Sequence, residues 1–268
     1  MKDKVVIITG GSSGIGKALA FAFGRRGSKI FITGRNETEL KRATTDLQAA
    51  GITVAALVAD ASIEDHNRHM AEQALQTYGR IDVLIANAGI SMRALFEEVD
   101  LAVIRQVMEI NFFGVVYATK YCLPELTKNH GSLVGMSSIA GYRGLPARSG
   151  YSASKFALNG FLETLRTEYL HANLHVLTAC PGFTASNIRT RALVKDGSAQ
   201  GDSSLDEGKV MTAEEVAEHI YRAVVKRKRE IILTTNGRLA VFLNKWWPWL
   251  ADRLVYNALK KEPNSPLK

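Results

Sequence analysis

The sequence predicts an α/β fold built on a parallel β-sheet with helices on both faces. Three observations predict it. Short apolar runs rich in β-formers alternate with longer segments of helical patterning along most of the 268 residues, as in βαβ units with right-handed crossovers. Several of those runs are apolar throughout rather than alternating, as strands buried on both faces must be. A cluster of glycines follows the first run at once and opens the first helical segment.

The strand candidates, in order, are residues 5–9, 29–33, 53–59, 83–87, 132–137, 174–180 and 231–234. Runs such as VVIIT and KIFIT are dominated by β-branched and aromatic side chains, which fit a pleated surface. Helical patterning marks residues 16–25, 37–50, 103–126, 156–170 and 213–225. Residues 189–211, rich in Gly, Ser and Asp, form the one composition shift before the tail. The predicted organisation is therefore a domain over 1–235, carrying a mobile lid at 189–211 over the substrate, and a helical extension over 236–268.

Composition narrows the function classes. At 46% hydrophobic and 22% charged residues, the chain is an ordinary globular protein, not a collagen-like, disordered or disulfide-built one. No uninterrupted apolar run reaches the ~18 residues of a membrane span, and the first residues lack the pattern of a secretory signal. Cys122 and Cys180 have no paired spacing, which points to a reduced, cytoplasmic protein. The net charge of +8 is concentrated at one end. Residues 226–268 carry ten Lys or Arg against three Asp or Glu, while the first 225 residues are nearly balanced. Such a tail suits an anionic membrane surface; no nucleic-acid-binding module accompanies it, so no specific nucleic acid is expected.

Chemistry is written first in Thr9-Gly10-Gly11-Ser12-Ser13-Gly14-Ile15-Gly16. Glycines between a strand and a helix let the backbone approach a pyrophosphate, whose charge lies at the positive helix end. The second strand ends in Gly34-Arg35-Asn36. An arginine there accommodates a ribose 2′-phosphate where a carboxylate would accept a 2′-hydroxyl, so NADP(H) is expected over NAD(H). Asp60, before Ala61, either accepts the adenine amine or caps the next helix.

Tyr151 and Lys155 lie four apart at the start of a helical run, hence on one face. A tyrosine with an ordinary pKa near ~10 is a poor base, and a nearby ammonium favours its phenolate. Ser138, Asn87-Ala88-Gly89 and Pro181-Gly182 fall, like the glycine turn, at the carboxyl ends of strands, where open α/β sheets build their sites.

Taken together, TGGSSGIG, NAG at 87–89, Asn111, Ser138, YSASK at 151–155 and PG at 181–182 resemble the short-chain dehydrogenase/reductase family over about residues 4–235. The resemblance implies a single Rossmann-fold domain with a seven-stranded parallel sheet, and a catalytic tetrad of Asn111, Ser138, Tyr151 and Lys155. Tyr151 would be the acid/base, and Ser138 would hydrogen-bond the substrate oxygen. Lys155 would bind the nicotinamide ribose while lowering the Tyr151 pKa. Asn111 would hold a water linking Lys155 to solvent. The cofactor set it implies is Gly10, Ser12, Ser13, Gly14, Ile15, Gly16, Arg35, Asp60, Ala61, Asn87, Ala88, Gly89, Tyr151, Lys155, Pro181, Gly182, Thr184 and Ser186. Ser186 stands where the family more often has threonine. NAGISMRALFEEVD, SSIAGYRGLP and PGFTASNI are similar to a membrane-associated group related to hydroxysteroid dehydrogenases. The expected activity is interconversion of a ketone or aldehyde with an alcohol on a lipophilic substrate, in a homodimer or homotetramer. The alternative is a non-catalytic NADP(H) sensor or scaffold, against which the retention of both Tyr151 and Lys155 speaks.

Other features are assigned to structure. His66 and His69 lack a third ligand, so no metal site is expected. Lys226-Arg227-Lys228-Arg229 follows a helix and suits its negative end. In the tail, Leu239, Phe242, Leu243, Trp246, Trp247, Leu250, Leu254 and Ala258 form an apolar stripe, and Pro248 should divide the helix. The stripe either packs on the body or a partner subunit beside the substrate entrance, or lies on an anionic membrane through residues 237–260.

Overall fold

The computed structural model describes residues 1–182, 188–201, 210–262 and 265–267. Thr184, Ser186 and residues 202–209 of the expected lid lie outside the described residues. Seven parallel strands, β1 (Val5–Ile8), β2 (Lys29–Gly34), β3 (Val54–Val58), β4 (Val83–Ala86), β5 (Ser132–Met136), β6 (His175–Cys180) and β7 (Glu230–Ile232), form one sheet in the order β3-β2-β1-β4-β5-β6-β7. The order reverses between β1 and β4, which opens a crevice at their carboxyl ends.

The helices divide between the faces. α1 (Gly14–Gly24), α2 (Glu37–Ala49) and α7 (Ala213–Val225) pack one core with Val6 and Ile8 of β1. α3 (Glu64–Tyr78), α5 (Gly114–Lys128) and α6 (Ser149–Glu168) pack the other, with Ile7 of the same strand. Alternate residues of one strand thus feed both cores, which is why β1 carries no polar residue.

The structure differs from the sequence expectation along 103–126. Instead of one regular helix, α4 (Leu101–Met108) runs through a π-turn, Glu109–Phe113, into α5. The continuous stretch Leu101–Lys128 is also the one described helix long and apolar enough to cross a membrane. Its apolar side chains Val107, Ile110, Val115, Ala118, Cys122 and Leu126 are buried within the fold, which accounts for that hydropathy.

The extension folds as α8 (Thr235–Trp246) and α9 (Pro248–Lys260), with Pro248 opening the second helix. The helices rest on the body through Gly237, Ala251 and Leu259, all buried. Of the alternatives for the apolar stripe, packing on the body is not what its outer residues do: Leu239, Phe242, Trp246, Trp247, Leu254 and Ala258 are exposed. The face toward the body is the small and polar one. Asn244 donates to Tyr142 O at 2.9 Å, Arg143 donates to Asn244 Oδ1 at 2.9 Å, and Arg143 also pairs with Asp252.

Candidate active site

The crevice beside β1 is a cleft of about 310 Å³ lined by Gly10, Ser12–Gly16, Arg35, Asp60, Ala61 and Asn87–Gly89. Backbone geometry explains its glycines. Gly10 has φ +66°, and a Cβ on Gly16 would lie 2.1 Å from the Gly10 carbonyl oxygen. Thr9 Oγ1 accepts from the N–H groups of Asn87 and Ala88 at 3.0 Å, and Asn87 Nδ2 donates to Thr9 O at 3.0 Å. The two loops are thus sewn together. No side chain caps the start of α1, and no carboxylate lies in its first turn. Uncapped N–H groups at a positive helix end suit a pyrophosphate, so the residues present fit a dinucleotide.

At the adenosine end Arg35 lies 3.8 Å from Asp60. Asp60 Oδ1 accepts from the backbone and hydroxyl of Ser62, and His66 Nδ1 accepts the Asp60 N–H at 3.1 Å. Asp60 thus closes the turn before α3 without capping that helix, whose N-cap is Ile63, and it also lines the cleft. Arg191 reaches across to Glu39 at 2.7 Å and lines the same cleft. Thr9 and Arg191 were not singled out from sequence; Arg191 lies within the expected lid, but nothing local marks its reach to α2.

The described part of that lid is tied down. Leu193 N donates to Ser91 O, Arg93 N to Leu193 O, and Asp100 N to Lys195 O, at 2.8–2.9 Å. Residues 188–201 roof the cleft through Ile188, Arg191 and Leu193. Gly182 packs against Thr234, where a Cβ would meet Thr234 Cγ2 at 2.2 Å.

Ser138 ends β5 and accepts from Ala140 N at 3.2 Å. Tyr151 lies in the first turn of α6, and Lys155 one turn on donates to Met136 O at 2.8 Å. Lys155 Nζ is 5.7 Å from the Tyr151 ring centroid. Asn111 occupies the π-turn, a geometry that frees backbone groups and often marks functional sites. Its side chain is fully engaged, accepting from Ile90 N at 2.8 Å and donating to Ile90 O and Ser154 Oγ. It fixes the loop after β4 to the helix that carries Tyr151 and Lys155.

Burial raises the Tyr151 pKa, opposed by hydrogen bonding with Ser138 and by the charge of Arg148. This departs from the expectation that Lys155 supplies the main opposing pull. Burial brings Lys155 itself down to about 8. Arg148, one turn before Tyr151, is a residue the sequence reading missed, although its i−3 spacing was visible.

A switch-point crevice shaped for a dinucleotide, with a buried lysine beside its Gly89 wall and a half-buried tyrosine and serine next to that lysine, is the layout of a Rossmann-class oxidoreductase. The family model for short chain dehydrogenases matches residues 4–196, and the chain belongs to that family. It is 36% identical over 271 residues to dehydrogenase/reductase SDR family member 7B of Mus musculus, covering 99% of this chain and 84% of the mouse protein. To dehydrogenase/reductase SDR family protein 7-like of Drosophila melanogaster it is 33% identical over 274 residues, covering 100% and 84%. Among solved structures, a short-chain dehydrogenase from Streptomyces avermitilis matches with a TM-score of 0.80 and 25% identity, over 96% of this chain and 98% of that one.

Proposed function

We propose that the protein is an NADP(H)-dependent oxidoreductase that interconverts a ketone or aldehyde with an alcohol on a lipophilic substrate. The observation that carries the reading is Tyr151, set beside Ser138 and Lys155, with Lys155 next to Gly89 of the dinucleotide cleft. The cleft residues Ser12–Gly16 and Arg35 would hold the nicotinamide cofactor, which when bound would supply or accept the hydride at the carbonyl carbon. Tyr151 gives its proton to the carbonyl oxygen. Its raised pKa keeps it protonated at neutral pH, the state reduction requires. Ser138 donates a hydrogen bond to the same oxygen, and the charges of Lys155 and Arg148 favour the phenolate left behind. Arg35, with Arg191 on the opposite wall, supports the choice of NADP(H) by offering guanidinium groups to a 2′-phosphate. NADPH oxidation over a ketone panel tests the activity. Tyr151→Phe should lower kcat about 10²–10⁴-fold; activity that survives it would remove the tyrosine from the mechanism.

The extension supports a membrane-surface location. Trp246, Trp247, Trp249 and Phe242 are exposed, with Lys245 and Arg253 lying beside Trp246 and Trp249. Aromatic side chains among cations match the headgroup region of an anionic bilayer. Co-sedimentation with phosphatidylserine vesicles at low salt should pellet the protein, and Trp246→Ser with Trp249→Ser should leave it in solution. A full-length protein that stays in the supernatant would refute the location. The assembly is a homodimer or homotetramer on this reading, measurable by analytical ultracentrifugation.

A further inference from the structure

A second hollow lies at the far end of the sheet, three strands beyond β4. Where α7, β7 and α8 meet there is a cavity of about 530 Å³, within the ~300–1,000 Å³ typical of small-molecule sites. It shares no lining residue with the nucleotide cleft. Half-buried Ile231, Ile232 and Leu233 give it an apolar surface. Around them stand four exposed cations from three segments: Arg222 of α7, Lys226 and Lys228 of the turn after it, and Arg238 of α8. Glu230 is the one carboxylate in the lining, which leaves a balance of +3 with His219 neutral.

Cations after a helix commonly serve the carbonyls of its last turn. Here the backbone does that work. The N–H groups of Lys226, Arg227 and Lys228 donate to the carbonyls of Arg222, Val224 and Ala223 at 2.9–3.0 Å. Arg227 reaches away, to His130 O and Asn173, while Lys226 and Lys228 line the cavity. Arg222 gives its Nε to Glu218, a carboxylate that Arg26 also pairs. Glu230 is engaged as well, accepting from the Tyr142 hydroxyl. Arg238 Nε donates to Ile232 O at 2.8 Å, which fixes the guanidinium at the open edge of the last strand. Among the described residues Lys226, Lys228 and Arg238 form no ion pair.

The lining therefore calls for a multiply charged anion. A second copy of the chain is a poor occupant, because a twofold contact sets the patch against itself and like charges meet. A phosphate monoester carries about −1.5 to −2 charge, so two of them match the surplus. Guanidinium groups and lysines are the natural partners of phosphate oxygens. The three aliphatic side chains offer a surface for the carbon skeleton between the phosphates. Phe242 and Trp246 follow Arg238 by one and two turns on the same helical face, and both are exposed, as acyl chains would require.

We propose that this cavity is a second binding site, for a ligand bearing two phosphates, carried on a lipid headgroup or free in solution. The proposal rests on neither the oxidoreductase reading nor the membrane location. Calorimetric titration of the full-length protein, saturated with NADP⁺ and at physiological salt, compares inorganic pyrophosphate with monophosphate. Pyrophosphate should bind at least about tenfold more tightly, and Lys226→Gln with Lys228→Gln should weaken it about tenfold. Phosphatidylcholine vesicles doped with phosphatidylinositol bisphosphate, or with phosphatidylserine at equal charge, separate the two sources. A preference for the bisphosphate vesicles that the double lysine variant abolishes makes the ligand lipid-borne. Lysine-dependent pyrophosphate binding without that preference makes it free. Pyrophosphate binding no tighter than monophosphate with no vesicle preference, or binding that both lysine substitutions and Arg238→Gln leave untouched, would overturn the proposal.

Discussion

Lys155 should make this protein less stable than a variant without it. The side chain is buried, and the titratable groups nearest it are neutral below pH 8: burial pushes Cys180 to about 12 and raises Tyr151. Among the described residues no anion compensates the ammonium, and burial brings its pKa from an ordinary 10.5 to about 8. At about 1.4 kcal/mol for each tenfold change in proton affinity, the folded protein bears about 3 kcal/mol at neutral pH. Lys155→Met removes that cost and leaves Met136 O without its donor, a loss of about 1 kcal/mol. The net gain is about 2 kcal/mol, or about 4–8 °C in Tm for a chain of this size. Between pH 8 and 10.5 the unfolded chain holds a proton that the folded one has released, so wild-type stability rises with pH there. The advantage of Lys155→Met is therefore full below pH 8 and disappears as pH approaches 10.5. Urea denaturation of both proteins from pH 6 to 10.5, without added cofactor, reads it directly, while reductase activity should collapse in the variant. A variant no more stable than wild type at pH 7, or a gap that ignores pH, would show that the lysine charge is already balanced and refute the reasoning.

Arg35→Asp should exchange the cofactor preference, raising the KM for NADPH at least tenfold relative to NADH; equal affinities in the unmodified protein would refute the assignment. Gly16→Ala drives a methyl group against the Gly10 carbonyl and Asn87, so NADPH titration should show about 10–100-fold weaker binding with little change in secondary structure. Asp82 accepts from Lys4, Arg80 and the Val5 backbone, which hold its pKa below the ordinary carboxylate value. Asp82→Ala should cost about 2–4 kcal/mol in urea denaturation above pH 4, since the charge-dependent part of the Asp82 contribution fades only as pH falls through its lowered pKa.

Local chemistry was legible in the sequence and long-range contact was not. The strand positions followed from runs such as VVII and VLIA, since a strand buried on both faces can hold little else. The glycine turn and the Tyr151–Lys155 pair were visible because their spacing is set by one turn of backbone. The π-turn at Glu109–Phe113 was hidden, because its residues pattern like the helices on either side. The tail periodicity revealed a stripe at the right residues, but periodicity cannot say which side of a helix pair meets the body. Asn244 and Asp252 decided that by pairing with Arg143, about a hundred residues away.

The clasp of α8 and α9 on the loop that carries Ser138 also orders events during synthesis. A ribosome delivers the chain from its amino end, so the glycine turn, Arg35 and β1 to β4 emerge well before the extension. The nascent protein can form the glycine turn and pair β1 to β4 while the roof of the crevice, Ile188, Arg191 and Leu193, is still to come. The clasp on the loop after β5 is therefore among the last contacts to form, because α8 and α9 leave the ribosome after every strand of the sheet.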